Sequence, residues 1–155
     1  MTTVLADPFD LQRFVNAQRD TYAAALGEIR LGHKHGHWMW FVFPQVIGLG
    51  RSSIGRRYAI RSRAEAEAYL GHSVLGPRLR ECAEALLTLP ADKTAHAIFG
   101  FPDDLKLRSS MTLFRQVDGP DGVFQRVLDR YYEGHPDPAT IAILDANRAP
   151  DGSAP

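Results

Sequence analysis

Apolar residues recur at intervals of three and four along much of this 155-residue chain, and this spacing predicts amphipathic helices. The clearest example runs from Val74 to Leu87, where Leu75, Leu79, Cys82 and Leu86 fall on one face of a helix. Similar spacing returns in the other long segments. The pattern therefore predicts an all-α protein, folded as a compact multihelical single domain.

Capping and breaking residues set the expected helix boundaries. Asp7-Pro8 opens a long first helix that Gly32 ends near Leu31, and Ser62-x-x-Glu65 is a capping box for a second helix. The remaining helices are expected over residues 73–89, 92–99, 103–115, 122–133 and 137–144. Residues 1–148 are expected to form the domain, and 149–155 have the composition of a disordered C-terminal tail.

The run HWMWFVFPQ, residues 37–45, is apolar on every side and is therefore expected to be buried. Its aromatic residues favour a strand, but a lone strand in a helical protein has no partner for its backbone groups. The interpretation that we favour is a short core helix stopped by Pro44.

Composition restricts the class of protein. With 18 basic and 18 acidic side chains the net charge is zero, which argues against a general nucleic-acid binder but does not exclude a local basic pocket. Cys82 is the only cysteine, so no internal disulfide is expected, and its place on a helix face indicates core packing. Neither a signal peptide nor a bilayer-spanning run is visible, and we expect a cytoplasmic protein that does not bind membranes.

The aromatic run and the polar turn before it form the first candidate site. His37 lies where the turn meets buried aromatics, a suitable place for a tuned acid or base. Trp38 and Trp40 are either core residues or stacking platforms for a ring, and Gln45 could read its polar edges. The alternating histidines of the turn lack the fixed geometry of a zinc site, so neither a metal nor a cofactor is predicted.

A glycine-rich loop, residues 48–53, supplies the second candidate segment. Arg51 and Ser52 could hold an anion together with backbone N–H groups, and Tyr58 follows on the next turn. The spacing matches neither a Walker A loop nor a dinucleotide fingerprint, and a tight turn explains it equally well.

The third segment, residues 99–114, crowds polar side chains into a core-forming helix. Asp104 is a candidate for proton transfer and Lys106 for anion binding. Ser109 and Ser110 are poor helix-interior residues, so their hydroxyls are candidates for ligand contacts. The competing interpretation is that they bond to carbonyls of their own helix.

Four blocks in order, HWMWFVFPQ, GLGRSS, EAEAYLGHSVLGPRL and FPDDLKLRSSMTLF, resemble the bacterial domain-of-unknown-function family 1810 over about residues 9–144. This resemblance implies a compact, mainly α-helical fold and carries no activity. Members are often labelled "calpastatin", but this chain does not resemble the disordered, repetitive calpain inhibitor. Residues 69–87 are more faintly similar to helical hydrolases of ADP-ribose-type N-glycosidic bonds, without that family's full motif.

Two functions remain open from the sequence. The first is binding, or hydrolysis, of a small anionic ligand similar to a nucleotide or ADP-ribose, which requires the tryptophan-rich stretch and the lysine–serine stretch to border one hollow. The alternative is a non-enzymatic protein-interaction domain in which the same residues are core and caps. The sequence leaves the oligomeric state undetermined.

Overall fold

A computed structural model describes residues 6–147 of the chain, and these residues form ten helices. Their bounds are α1 Gln12–Gln18, α2 Tyr22–Leu31, α3 Met39–Val42, α4 Ser53–Arg57, α5 Arg63–Gly71, α6 Leu75–Leu87, α7 Ala95–Phe99, α8 Asp103–Asp118, α9 Val123–Tyr132 and α10 Pro138–Ala146. Extended segments pair in this part of the chain at one isolated parallel bridge, Val46 with Ile60. The all-α prediction is confirmed, while the expected tail lies outside the described residues.

The longest helix, α8, organises the core. Helices α5, α7, α9 and α10 pack against it, and α6 packs against α2, α5 and α9. The buried ring of Phe114 lies 5.2 Å from Tyr69 of α5 and 5.9 Å from Phe124 of α9, measured between ring centroids. Each such side chain contributes roughly 1.5–3 kcal/mol by burial. Through Phe114, α8 therefore packs against both α5 and α9.

The first helix differs from its prediction, because the chain breaks between Gln18 and Tyr22 into α1 and α2. The buried Gln18 amide donates a hydrogen bond to the Phe41 carbonyl (2.7 Å) and contacts the Tyr69 hydroxyl (3.2 Å). Since the residues at the break include neither glycine nor proline, the sequence gives no local signal for it. The hydrogen bonds from Gln18 to distant parts of the chain are made at this break between α1 and α2.

The predicted helix opening at Asp7-Pro8 is wrong, because α1 begins only at Gln12, although the Asp7 carboxylate accepts from the Leu11 and Gln12 N–H groups (2.8 and 3.0 Å). Other capping signals hold. The Ser62 hydroxyl accepts a hydrogen bond from the Glu65 backbone N–H (3.1 Å), and Gly32 ends α2 with a φ of 76°. Asp137 caps α10 by accepting from the Ala139 N–H at 3.3 Å. Helix α7 begins later than expected, at Ala95, and α8 continues through Asp118.

The aromatic run, residues 37–45, and the end of the glycine-rich loop, residues 48–53, both contain helical residues. The aromatic run forms the single turn α3, as favoured, and it ends before Pro44. The expected loop leads directly into the short helix α4, which begins at Ser53. The N-cap Ser52 accepts a hydrogen bond from the Gly55 N–H at 3.0 Å.

Cys82 is fully buried in α6, as its spacing predicts. Burial raises the pKa of its thiol to about 12, so the reactive thiolate is scarce at neutral pH. Among residues 6–147, no helix combines the length and the apolar character needed to cross a membrane.

Candidate functional site

Glu28 of α2 holds the histidine-containing loop, residues 33–37, in place. Its Oε1 atom accepts hydrogen bonds from the backbone N–H groups of His35 (2.7 Å) and Gly36 (2.9 Å) and from the Trp38 indole (2.9 Å). Partial burial alone would raise the pKa of Glu28, but these hydrogen bonds lower it below its ordinary value of 4.5. At neutral pH the carboxylate therefore stabilises the loop.

The two tryptophans have different environments. Trp38 is only 1% exposed, and its ring packs against Phe43 (6.2 Å) and Phe99 (6.3 Å). It lies in the core and offers little free ring surface for stacking. Trp40 is partly exposed. Of the two rings proposed as stacking platforms, Trp40 is therefore the accessible one.

Lys34 and Lys106 share the carboxylate of Asp103. The Lys34 Nζ atom lies 2.8 Å from Oδ2, and the Lys106 Nζ atom lies 3.3 Å from Oδ1. Each ammonium also lies 5.1 Å from an indole centroid, Lys34 over Trp38 and Lys106 over Trp40. We call these five residues the lysine–tryptophan cluster. It joins the histidine loop and α3 to the first turns of α8.

The two candidate proton-transfer residues lie in different surroundings. The Asp104 Oδ2 atom lies 3.4 Å from Nδ1 of His96 in α7, and the Asp104 carbonyl accepts a hydrogen bond from the Tyr132 hydroxyl. His37 is exposed in the histidine loop. The imidazole that the structure places beside Asp104 is thus His96, a residue the sequence analysis did not single out.

The adjacent residues Ser109 and Ser110 are both buried but differ in hydrogen bonding. The Ser109 hydroxyl lies 2.8 Å from Oδ2 of Asp137 and 3.2 Å from the Leu105 carbonyl, so it connects α8 to α10. Partial burial would raise the pKa of Asp137, but hydrogen bonds from Thr140, Ser109 and the backbone lower it. Ser110 is fully buried, and its hydroxyl has no hydrogen-bond partner within the described residues.

The remaining candidates lie around α4 and the parallel bridge between Val46 and Ile60 on either side of it. Ser52 is the N-cap of α4, and Arg51 is exposed. The Tyr58 ring packs 5.4 Å from Phe41, and the Gln45 carbonyl accepts a hydrogen bond of the parallel bridge. Ser52 and the Gln45 backbone therefore have structural roles in addition to any contact with a ligand.

Helix α3 contacts both groups of candidates. Its Trp40 ring lies beneath Lys106, while the neighbouring Phe41 ring packs against Tyr58. Three surface pockets, of about 330, 400 and 270 Å³, are lined by other residues than the lysine–tryptophan cluster. The predicted segments thus approach each other through α3. Within the cluster Trp38 is buried, while Trp40 and Lys106 are partly exposed.

Three residues of this region, Glu28, Lys34 and Asp103, did not stand out in the sequence. Lys34 belongs to a polar turn, and its ion-pair partner is far away along the chain. A polar turn is by itself a signal for solvent exposure, so the local pattern could not reveal the pair. In residues 6–147 no group of three or more His, Cys, Asp or Glu side chains is arranged to hold a metal ion.

Comparison with known proteins places the chain in a family. The sequence profile described as "Protein of unknown function (DUF1810)" matches residues 8–144. The crystal structure of a conserved hypothetical protein from Mycobacterium tuberculosis is similar, with 50% sequence identity and a TM-score of 0.87. The similarity covers 90% of this chain and 99% of that chain. No curated protein matches the chain. Because the profile spans nearly its whole length, this chain belongs to the DUF1810 family.

Proposed function

We propose that this chain binds a small anionic ligand with a planar ring, similar to a nucleotide or ADP-ribose, at the lysine–tryptophan cluster. The observation that carries the proposal is the position of Lys106, whose ammonium lies over the partly exposed Trp40 ring and beside Asp103. A cation adjoining an accessible aromatic ring provides two complementary contacts, one for a phosphate and one for a base.

The surroundings of the two lysines support an anionic ligand at Lys106. Two ammonium groups, Lys34 and Lys106, share the carboxylate of Asp103, and Lys34 also donates to the Gly36 carbonyl at 2.6 Å. The Lys34 side chain is 9% exposed and that of Lys106 is 25% exposed. Lys106 is thus the more accessible cation, and a phosphate could take one of its hydrogen bonds.

A hydrolytic form of the same proposal assigns the proton transfer to Asp104. Its neighbour His96 supports this assignment, because an imidazole near a carboxylate can exchange or orient a proton. His37 remains the second proposed proton carrier, at the exposed side of the histidine loop.

Isothermal titration calorimetry with ADP-ribose, ADP, adenosine and inorganic phosphate tests the proposal. We expect ADP-ribose or ADP to bind more tightly than either half-ligand. Lys106→Met should weaken binding at least tenfold, because a hydrogen bond to a charged group contributes about 1.5–3 kcal/mol. Trp40→Leu should weaken the ring-bearing ligands and leave phosphate unaffected.

Arg126→Met is the matched control for this titration, because Arg126 is an exposed cation of α9 that pairs with Glu84. It should bind as the wild type does. If no compound binds, or if Lys106→Met binds as tightly as the control, the cluster is not the ligand site.

The second candidate function, a protein-interaction domain, is favoured by exposed apolar side chains beside the cluster. Phe101, two residues before Asp103, is 73% exposed, and Leu105, the residue before Lys106, is 50% exposed. Light scattering across a concentration series tests it. Self-association that Phe101→Ser with Leu105→Ser abolishes would support this candidate, and a monomer at every concentration would count against self-association.

A further inference from the structure

One segment of this chain carries basic residues without acidic ones. Between Glu28 and Glu65 the sequence has no acidic residue, although the chain as a whole has no net charge. Five arginines lie close together near the end of this stretch: Arg51, Arg56, Arg57, Arg61 and Arg63. A net charge of zero therefore conceals a strongly basic segment, and local charge decides what a surface attracts.

All five arginines are exposed, on α4 and on the chain that flanks it. Arg63 pairs with Glu67 at 3.3 Å. The other four have no carboxylate within ion-pair distance in the part of the chain that the structure describes. We call Arg51, Arg56, Arg57 and Arg61 the arginine strip. Its four guanidinium groups remain available to an external anion.

The backbone that carries the strip is fixed from beneath. The buried Arg13 guanidinium donates hydrogen bonds to the carbonyls of Arg57 (2.8 Å) and Ala59 (2.9 Å), and it forms an ion pair with Glu65 at 2.8 Å. The Ile60 backbone forms the parallel bridge that follows. Because this backbone is already ordered in the folded protein, binding a ligand there would lose less conformational entropy.

An aromatic ring lies beside one of these cations, Arg57. Tyr58 lines a surface pocket of about 270 Å³ together with Ser53, Ile54 and Arg57. The Arg57 guanidinium carbon lies 5.6 Å from the Tyr58 ring centroid, and the ring is supported by Phe41. This arrangement offers a stacking surface and a hydroxyl beside the positive charges.

We infer that the arginine strip binds the phosphate backbone of a single-stranded nucleic acid, with a base placed against Tyr58. Guanidinium forks match phosphate oxygens, and a basic surface with an aromatic ring is the usual means of holding unpaired strands. An acidic protein is less well matched, because a protein interface needs an apolar centre and the strip offers only Ile54, 37% exposed. This site is separate from the lysine–tryptophan cluster and does not depend on its ligand.

Fluorescence anisotropy with the full chain and a labelled oligothymidylate or oligouridylate of about ten nucleotides tests the inference. Four phosphate contacts predict that log K falls with log salt concentration with a slope of about −3, since each contact on a single strand contributes about −0.7. Replacing Arg51, Arg56 and Arg61 by Gln should reduce the slope to about −1 and weaken binding at least tenfold at low salt.

The matched control replaces three exposed arginines elsewhere, Arg19, Arg30 and Arg126, by Gln, which changes the net charge equally. This control should keep both the slope and the affinity. Tyr58→Leu should weaken binding and leave the slope unchanged, provided that its melting temperature shows an intact fold.

The inference is overturned by any of three results. These are the absence of an anisotropy change at low salt, equal weakening by the two triple variants, and equal competition by polyglutamate at matched charge. Lys106→Met, which tests the small-ligand proposal, should bind the oligonucleotide as the wild type does, so that the two proposals can fail separately.

Discussion

Two charged clusters of this protein use similar groups in opposite ways. In the first, the guanidinium of Arg13 is buried with Glu65, and it also donates to backbone carbonyls of Phe9, Asp10, Arg57 and Ala59. In the second, Lys34 and Lys106 divide one partly exposed carboxylate, Asp103, between them. The first cluster has all of its donors satisfied within the protein. In the second, Lys34 is 9% exposed and also donates to the Gly36 carbonyl, whereas Lys106, 25% exposed, keeps donors at the surface.

This difference separates charge that maintains the fold from charge that can serve a ligand. A buried pair is costly to disrupt because its remaining member stays unpaired in a medium of low polarity. An exposed pair contributes little to stability and can exchange its partner. Five substitutions, given from the largest expected effect to the smallest, test whether groups that maintain the fold differ in this way from groups that are free to bind.

Arg13→Leu should have the largest effect. It leaves Glu65 buried without its partner and removes hydrogen bonds from several carbonyls, so the free energy of unfolding should fall by about 3–5 kcal/mol. Urea denaturation measures it, with Arg126→Leu as the exposed control expected to lose less than about 1 kcal/mol. A loss of under about 1 kcal/mol in Arg13→Leu would show that the buried cluster does not stabilise the fold.

Glu28→Gln should lower the free energy of unfolding by about 1–3 kcal/mol at neutral pH, because three hydrogen bonds to a charged carboxylate become weaker bonds to a neutral amide oxygen. The pKa of Glu28 in the folded protein lies below its ordinary value of 4.5. Its stabilisation is therefore complete above about pH 4.5 and is lost as the pH falls through the folded pKa. Denaturation of both proteins from pH 7 to pH 3 should show the difference shrinking towards acid. A difference independent of pH would contradict this role.

Ser109→Ala and Ser110→Ala should act in opposite directions. Ser109 loses its hydrogen bond to Asp137 and should destabilise the protein by about 1 kcal/mol. Ser110 is buried with no hydrogen-bond partner among residues 6–147, so its replacement should be neutral or stabilise by up to about 1 kcal/mol. Thermal unfolding of the two variants provides the comparison, each acting as the control for the other. Clear destabilisation by Ser110→Ala would indicate that its hydroxyl has a partner.

Lys106→Met should have the smallest effect on stability, below about 1 kcal/mol, because its side chain is 25% exposed and its ion pair lies on one helix. The same urea denaturation used for Arg13 measures it. A loss above about 2 kcal/mol would place Lys106 with Arg13 among the groups that maintain the fold, and the contrast between the two clusters would fail.

Local patterns predicted most of the helices. The apolar faces of α6, α8 and α9 give strong periodicity, and their boundaries follow from glycine, proline and capping residues. The break after α1 escaped prediction because Arg19, Asp20 and Thr21 carry no breaking signal. Helix α4 escaped because it lies within a glycine- and serine-rich segment, where Ser52 acts as a cap.

The candidate site was predictable only in part. Trp40 and Lys106 were selected from different segments, and the structure places them in contact. Their connection through Asp103 to Lys34 depends on tertiary packing, which periodicity does not encode. The concentration of arginines was present in the sequence, but averaging charge over the whole chain hid it.

Because Cys82 is fully buried, the reactivity of its thiol can be used to measure how often the core of the protein unfolds. Since its only sulfhydryl is enclosed in α6, an alkylating reagent can reach it only in molecules whose core has come apart. The rate of alkylation in native buffer would then report the frequency of this unfolding, without any engineered label. A ligand or oligonucleotide that binds the intact fold would slow that modification in proportion to its occupancy, whatever its chemistry.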